Sequence, residues 1–91
     1  MANVIVTLKV MPDSPEVDLD KLEKDSSQII KEFGGDVGRV EKEPVGFGLT
    51  ALKILFVMSE DLGGTDELED KVKAIADVGN AEVVDVRRAV G

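Results

Sequence analysis

An α+β fold, with helices packed on one face of an antiparallel sheet, is predicted by three features of this sequence. The chain has 91 residues, enough for one two-layer core and too few for two. Its apolar residues alternate in three segments, as in strands, a fourth segment is apolar on both faces, as in a central strand, and two others follow a helical period. The six segments come in the order strand, helix, strand, strand, helix, strand. This order is typical of a ferredoxin-like βαββαβ sandwich, and we expect one domain over residues 1–91.

The first part of the chain predicts a strand followed by a long helix. Apolar and polar residues alternate over residues 3–11, and Pro12 ends that pattern. Asp18 has the position of an N-cap for an amphipathic helix that continues to Phe33. The glycine pair at residues 34–35 is expected to end this helix.

The most apolar stretch, residues 49–58, predicts a central strand, since its only charge is Lys53. Residues 36–43 are short and charged and predict an edge strand, where Pro44 is tolerated. The corner Gly46-Phe47-Gly48 joins the two strands as a long hairpin.

The remaining residues predict a second helix and a fourth strand. Thr65 is expected to cap the helix, and Gly79-Asn80 to close it before a strand that begins at Ala81. The buried stripe of this helix is expected to contain Leu68, Val72, Ile75 and Ala76. Right-handed crossovers then place the first and third strands in the centre of a four-stranded antiparallel sheet, with both helices on one face.

Composition excludes several classes of function. Without Cys or His, the chain lacks the usual zinc ligands and any Cys-His or Ser-His-Asp arrangement, so we expect no metal site and no cofactor. A formal charge of −8 and the absence of Tyr and Trp argue against a direct nucleic-acid partner. The N-terminus has neither a basic n-region nor an uninterrupted apolar segment, so we expect a cytoplasmic protein without a membrane span.

Two candidate binding features remain. Phe47 lies between Gly46 and Gly48, where its ring either folds back onto the core or is exposed as an anchor for a partner. Arg87 and Arg88 are adjacent arginines in an acidic chain, and on a strand they point to opposite faces. An edge strand kept soluble by charge explains the arginines equally well.

Three segments together resemble the elongation factor 1-beta family in its short archaeal form. They are residues 43–54, which contain the run PVGFGL, the opening residues 4–12 and the closing residues 84–86. The resemblance covers essentially the whole chain. It implies a guanine-nucleotide exchange factor for the GTPase elongation factor 1-alpha, free of covalent chemistry and monomeric on its own. It also implies that Phe47 meets the second domain of the GTPase, while residues near the C-terminal end disturb its nucleotide and Mg²⁺ site.

The C-terminal end departs from the eukaryotic members of that family, whose penultimate lysine enters the nucleotide site. In this chain the last five residues read RRAVG, and no lysine matches. One hypothesis is that Arg87 or Arg88 supplies the cation. The alternative is displacement of the GTPase switch regions without any cation. The eukaryotic N-terminal region is also missing, so we expect a free-standing domain.

Two functions of other classes are compatible with the same fold. The first is a small-molecule-binding regulatory domain, which would dimerise through its sheet and bind an effector there. The second is an RNA-binding sheet, which the negative charge and the lack of Tyr and Trp disfavour.

Overall fold

The computed structural model describes residues 3–62 and 64–88, which form four strands and two helices. In chain order these are β1 (Asn3–Pro12), α1 (Leu19–Phe33), β2 (Asp36–Gly46), β3 (Leu49–Ser59), α2 (Asp66–Lys73) and β4 (Val78–Arg88), with a 3-10 turn at Glu60–Leu62 after β3. All neighbouring strands pair antiparallel, in the order β2-β3-β1-β4. The predicted ferredoxin-like topology, with the first and third strands in the centre, is confirmed.

The core lies between the helices and one face of the two central strands. Every second residue of β1 and β3 points into it, because side chains alternate between the faces of a sheet. The buried members of the central strands on this face include Val6, Leu8, Val10, Leu52, Ile54, Phe56 and Met58. Helix α1 adds Leu22 and Ile30, and α2 adds Leu68 and Val72. Both helices therefore cover the same face, as predicted.

The predicted ends of α1 are confirmed. The Asp18 carboxylate accepts hydrogen bonds from the backbone N–H of Asp20 at 3.1 Å and of Lys21 at 3.3 Å. These bonds satisfy donors that the first turn of a helix leaves free. At the other end Gly34 has a φ of 112°, a left-handed conformation that a residue with a side chain adopts only with strain.

The predicted end of α2 is wrong. The helix stops at Lys73, so Ile75 is only half-buried and Ala76 is not part of a helical stripe, and β4 already begins at Val78. Gly79 is consequently a strand residue next to the end of β1, and a Cβ atom there would lie 3.1 Å from the carbonyl oxygen of Pro12. Its lack of a side chain permits the close approach of β4 to β1 rather than a helix cap.

The face of the sheet opposite the helices, called the open face below, carries half-buried side chains from the two central strands. Among them are Thr7, Lys53, Leu55 and Val57. The longest helix within residues 3–62 and 64–88 has 15 residues, and no helix in that part of the chain is both long and apolar enough to cross a bilayer.

Candidate partner-binding site

The corner between β2 and β3 is a two-residue turn. Gly46 pairs with Leu49, and Phe47 and Gly48 between them have φ values of 55° and 76°. Positive φ at both central residues is the signature of a type I′ turn, whose twist matches that of the flanking strands. Gly46 has a φ of 97°, where glycine is also the favoured residue. The predicted hairpin is confirmed, and its geometry explains both glycines.

Phe47 is the residue that turn chemistry does not explain. Asn, Asp and Gly are the usual first residues of such a turn, and a left-handed conformation at a residue with a side chain costs about 1–2 kcal/mol. The ring gains nothing in return from burial, because the residue is 99% exposed. Of the two orientations that the sequence left open, the structure has the exposed one. A large apolar side chain in this position is available to a partner.

The hairpin that carries Phe47 makes two contacts outside the turn itself. Pro15, in the loop before α1, lies close to Gly48, where an added Cβ would be 3.7 Å from its Cγ. On the open face the Lys53 Nζ atom lies 2.6 Å from the Glu43 carboxylate. The hydrogen bond from Lys53 lowers the pKa of Glu43, and the same bond raises the pKa of Lys53. The Pro15 contact lies beside the turn, and the ion pair joins the two strands that lead to it.

The two arginines lie at the end of β4, on opposite faces of the sheet. Arg87 is opposite Ile5, on the open face, and its Nε donates to Asp85 at 2.9 Å. Arg88 is opposite Val4, on the helix side. Both guanidinium groups are largely in water, with side-chain exposures of 77% and 72%. The last three residues of the sequence, which follow this pair, lie outside the described residues.

The structure brings Gly46, Phe47 and Gly48 together and leaves the arginines far from them. Arg88 is level with Val4, which pairs with Met58 near the end of β3, while the turn precedes Leu49 at its start. Nine residue steps along β3 at about 3.3 Å each separate the two ends by about 30 Å. The candidate site therefore has two separate parts at opposite ends of one rigid sheet.

Sequence reasoning missed one charged residue at the arginine end. Glu60, in the turn after β3, accepts from Arg88 Nη2 at 3.3 and 3.4 Å. The two residues are 28 positions apart, so no local sequence pattern indicates this contact. Glu60 also lines a groove of about 300 Å³ with apolar side chains of β1, β3 and β4.

Within residues 3–62 and 64–88, this site includes neither a metal cluster nor the wider groove. No group of three or more Asp and Glu side chains within the described ranges is arranged to hold a metal ion. A second, wider groove of about 850 Å³ lies between α1 and β2, lined mainly by polar and charged residues. It contains neither the corner residues nor the arginines.

Sequence comparison assigns the chain to a family. Residues 5–89 match the family described as the EF-1 guanine nucleotide exchange domain. Elongation factor 1-beta of Methanothermobacter thermautotrophicus is 43% identical over 88 residues, covering 97% of this chain and 98% of that protein. Elongation factor 1-beta of Saccharolobus solfataricus is 49% identical over 90 residues, covering 97% of each. The chain belongs to the EF-1 guanine nucleotide exchange domain family, and its role is nucleotide exchange in translation elongation.

Comparison of structures supports the fold alone. The ACT domain of the GTP pyrophosphokinase from Chlorobium tepidum superposes with a TM-score of 0.62, covering 90% of this chain and 99% of that one. The two sequences are 11% identical. This likeness extends to the βαββαβ architecture and carries no information on the site, because one fold hosts many functions.

Proposed function

We propose that this chain promotes exchange of GDP for GTP on elongation factor 1-alpha by binding that GTPase at two places. Phe47 and its flanking glycines form the first contact, and Arg87 and Arg88 at the far end of β4 form the second. The exposed, left-handed Phe47 is the observation that carries this proposal. A conformation that costs stability is retained where it serves binding or mechanism.

Phe47 has the properties of an anchor residue. Buried aromatic side chains dominate the energetics of protein interfaces, and each removes about 150–250 Å² from water. The type I′ turn fixes the backbone beneath the ring, so little backbone freedom is left to lose on binding. We infer that the ring binds in a hydrophobic pocket of one domain of the GTPase.

The arginines supply positive charge about 30 Å from the anchor, at the other end of the sheet. Guanidinium groups bind carboxylates and phosphates through several N–H donors. We infer that this end of the sheet approaches the nucleotide site of the GTPase and weakens its contacts to GDP and Mg²⁺. A single small domain can in this way contact two domains of its partner.

The factor acts without covalent chemistry and needs no cofactor. It promotes exchange because it binds the nucleotide-free GTPase more tightly than the GDP-bound form, and a ligand shifts an equilibrium only by that difference in affinity. No catalytic acid, base or nucleophile is required. This agrees with a sequence that has no His and no Cys.

The free factor is a monomer in the cytoplasm. Two copies with a formal charge of −8 each repel one another, which opposes self-association and favours a partner with positive surface charge. The same charge opposes direct contact with nucleic acid.

Release of a fluorescent GDP from the cognate elongation factor 1-alpha, followed by stopped flow, tests this proposal. The wild-type chain is expected to accelerate release. Phe47→Ala is expected to abolish most of the acceleration, and Arg87→Ala/Arg88→Ala to reduce it. Val84→Ala removes another exposed apolar side chain, in the edge strand β4, and is the matched control. If the wild-type chain leaves release unchanged at every concentration, the proposed function is wrong.

A further inference from the structure

The two arginines at the end of β4 are held in different ways. Arg87 pairs with Asp85, two residues earlier on its own strand, so that pair moves with the strand. Arg88 pairs with Glu60, which belongs to the turn after β3. The second pair therefore connects the ends of two strands that are not neighbours in the sheet.

The Arg88–Glu60 pair crosses the end of β1 on the helix side. Val4 lies between Arg88 on β4 and Met58 on β3 in the register of the sheet. Glu60 follows Met58 by two residues and reaches back across Val4. Below it lies the groove of about 300 Å³, whose apolar lining is Val4, Val6, Met58 and Val86. Because Glu60 lines this groove, its ion pair places the Arg88 guanidinium next to the groove.

The pair is weak enough to be exchanged. Only Nη2 of Arg88 contacts Glu60 in the described part of the chain, at 3.3 and 3.4 Å, so most guanidinium N–H donors remain free for another anion. The two side chains are 72% and 40% exposed, and exposed ion pairs of this kind contribute little to stability. An incoming anionic group can displace Glu60 without disturbing the fold.

We propose that Glu60 is the resting counter-ion of Arg88 and controls how readily the end of β4 engages the GTPase. Glu60 pairs with the guanidinium until an anionic oxygen group of the complex replaces it. That group is a carboxylate of the GTPase. This inference rests on the proposed function, and it makes Glu60 a positioning residue that competes with the partner for Arg88.

Competition predicts the direction of the effect. Because Glu60 must be displaced, Glu60→Gln raises the second-order rate constant for GDP release by about two- to fivefold, the range that loss of one exposed ion pair allows. In a chain that already carries Arg88→Gln, Glu60→Gln leaves this rate constant unchanged, because there is no cation to compete for. A merely structural role of Glu60 would not depend on Arg88 in this way.

A double-mutant cycle on the full chain tests the inference. The rate constant for fluorescent-GDP release is measured for the wild type, Glu60→Gln, Arg88→Gln and the double variant. Glu67→Gln is the matched control, since Glu67 forms an exposed pair with Lys71 at 3.4 Å and its substitution changes the net charge equally. The expected result is a gain for Glu60→Gln, no gain for Glu67→Gln, and no difference between Arg88→Gln and the double variant.

A second arm identifies the anion. The affinity of the same variants is measured for nucleotide-free and for GDP-bound elongation factor 1-alpha. A gain for Glu60→Gln on the nucleotide-free GTPase supports a protein carboxylate. A gain only on the GDP-bound form would point to a phosphate and would contradict the inference, because it tightens the complex that exchange must dissociate.

Two further results would overturn the inference while leaving the proposed function intact. They are unchanged exchange in Glu60→Gln, and a gain that persists in the Arg88→Gln background. Failure of the wild-type chain to promote exchange would instead remove the proposed function, and this inference with it. Thermal unfolding of each variant, expected within about 2 °C of the wild type, confirms that the fold is retained.

Discussion

Phe47 and Phe56 lie nine positions apart on one hairpin, yet Phe47 is 99% exposed and Phe56 is fully buried. Packing explains Phe56, which points from β3 into the core between the sheet and the helices. Packing does not explain Phe47, which occupies a backbone conformation that favours other residues. Apolar character alone therefore does not distinguish a core residue from a binding residue. Exposure combined with backbone strain distinguishes the two.

Stability should separate the two aromatic residues most strongly. Phe56→Ala leaves a cavity in the core and should lower the free energy of unfolding by about 3–5 kcal/mol, measured by urea denaturation. Phe47→Ala should change it by less than about 0.5 kcal/mol, because no packing is lost. Similar losses for both variants would show that the ring of Phe47 packs in solution.

The packing around the buried Phe56 is tested further at Gly35, which lies next to its ring. A Cβ atom at Gly35 would be 2.7 Å from Ile30 Cγ2 and 2.8 Å from Phe56 Cδ2. Gly35→Ala should therefore destabilise the chain by about 1–3 kcal/mol through overpacking. Gly38→Ala is the control, since a Cβ atom there would lie 3.8 Å from the Leu55 carbonyl oxygen, an ordinary contact. Equal denaturation midpoints for the two variants would contradict this description of the core.

The role of the exposed Phe47 is tested by a substitution that suits the turn conformation better and removes the ring. Asn tolerates positive φ and, with Gly48 following, gives the favoured type I′ pair. Phe47→Asn should raise the free energy of unfolding by about 1 kcal/mol, a rise of about 4–8 °C in the melting temperature of a domain this size. The same variant should lose exchange activity. A less stable variant would mean that Phe47 has a structural role.

The smallest effect concerns the Glu43–Lys53 pair, which joins the two strands of the same hairpin on the open face. Since the folded-state pKa of Glu43 is below its ordinary 4.5, its contribution is present above that pH and is lost as the pH falls through the lowered value. For Lys53 the folded pKa is above 10.5, so its contribution is lost only as the pH rises through the raised value.

Urea midpoints at several pH values check this pair. Glu43→Gln should be slightly less stable than the wild type at pH 7, and the difference should shrink in acid, where Glu43 of the wild type is itself protonated. Glu82→Gln, which changes an exposed glutamate of β4 that forms no ion pair with the described residues, is the control. A difference that grows in acid would contradict the lowered pKa of Glu43.

The fold was predictable because its signals are local. Alternation in the strands, the Asp18 cap and the glycine at the end of α1 each act through neighbouring residues. The end of α2 was not predictable, because Gly79 permits a close approach to Pro12, which belongs to a strand far away in the sequence. The sequence located Phe47 but could not decide its direction, which depends on the φ of the turn. The Arg88–Glu60 contact joins residues 28 positions apart and has no sequence signature.

The central claim is that exchange is driven by a difference in affinity, with Phe47 as the main anchor. Isothermal titration measures that difference directly. Nucleotide-free and GDP-bound elongation factor 1-alpha are each titrated with the wild-type chain and with Phe47→Ala. We expect tighter binding of the wild type to the nucleotide-free form, and by linkage an equal loss of GDP affinity when the factor is bound. We expect weak binding of Phe47→Ala to both forms. Equal affinity of the wild type for the two forms would contradict this mechanism, since a factor that does not distinguish them cannot displace GDP.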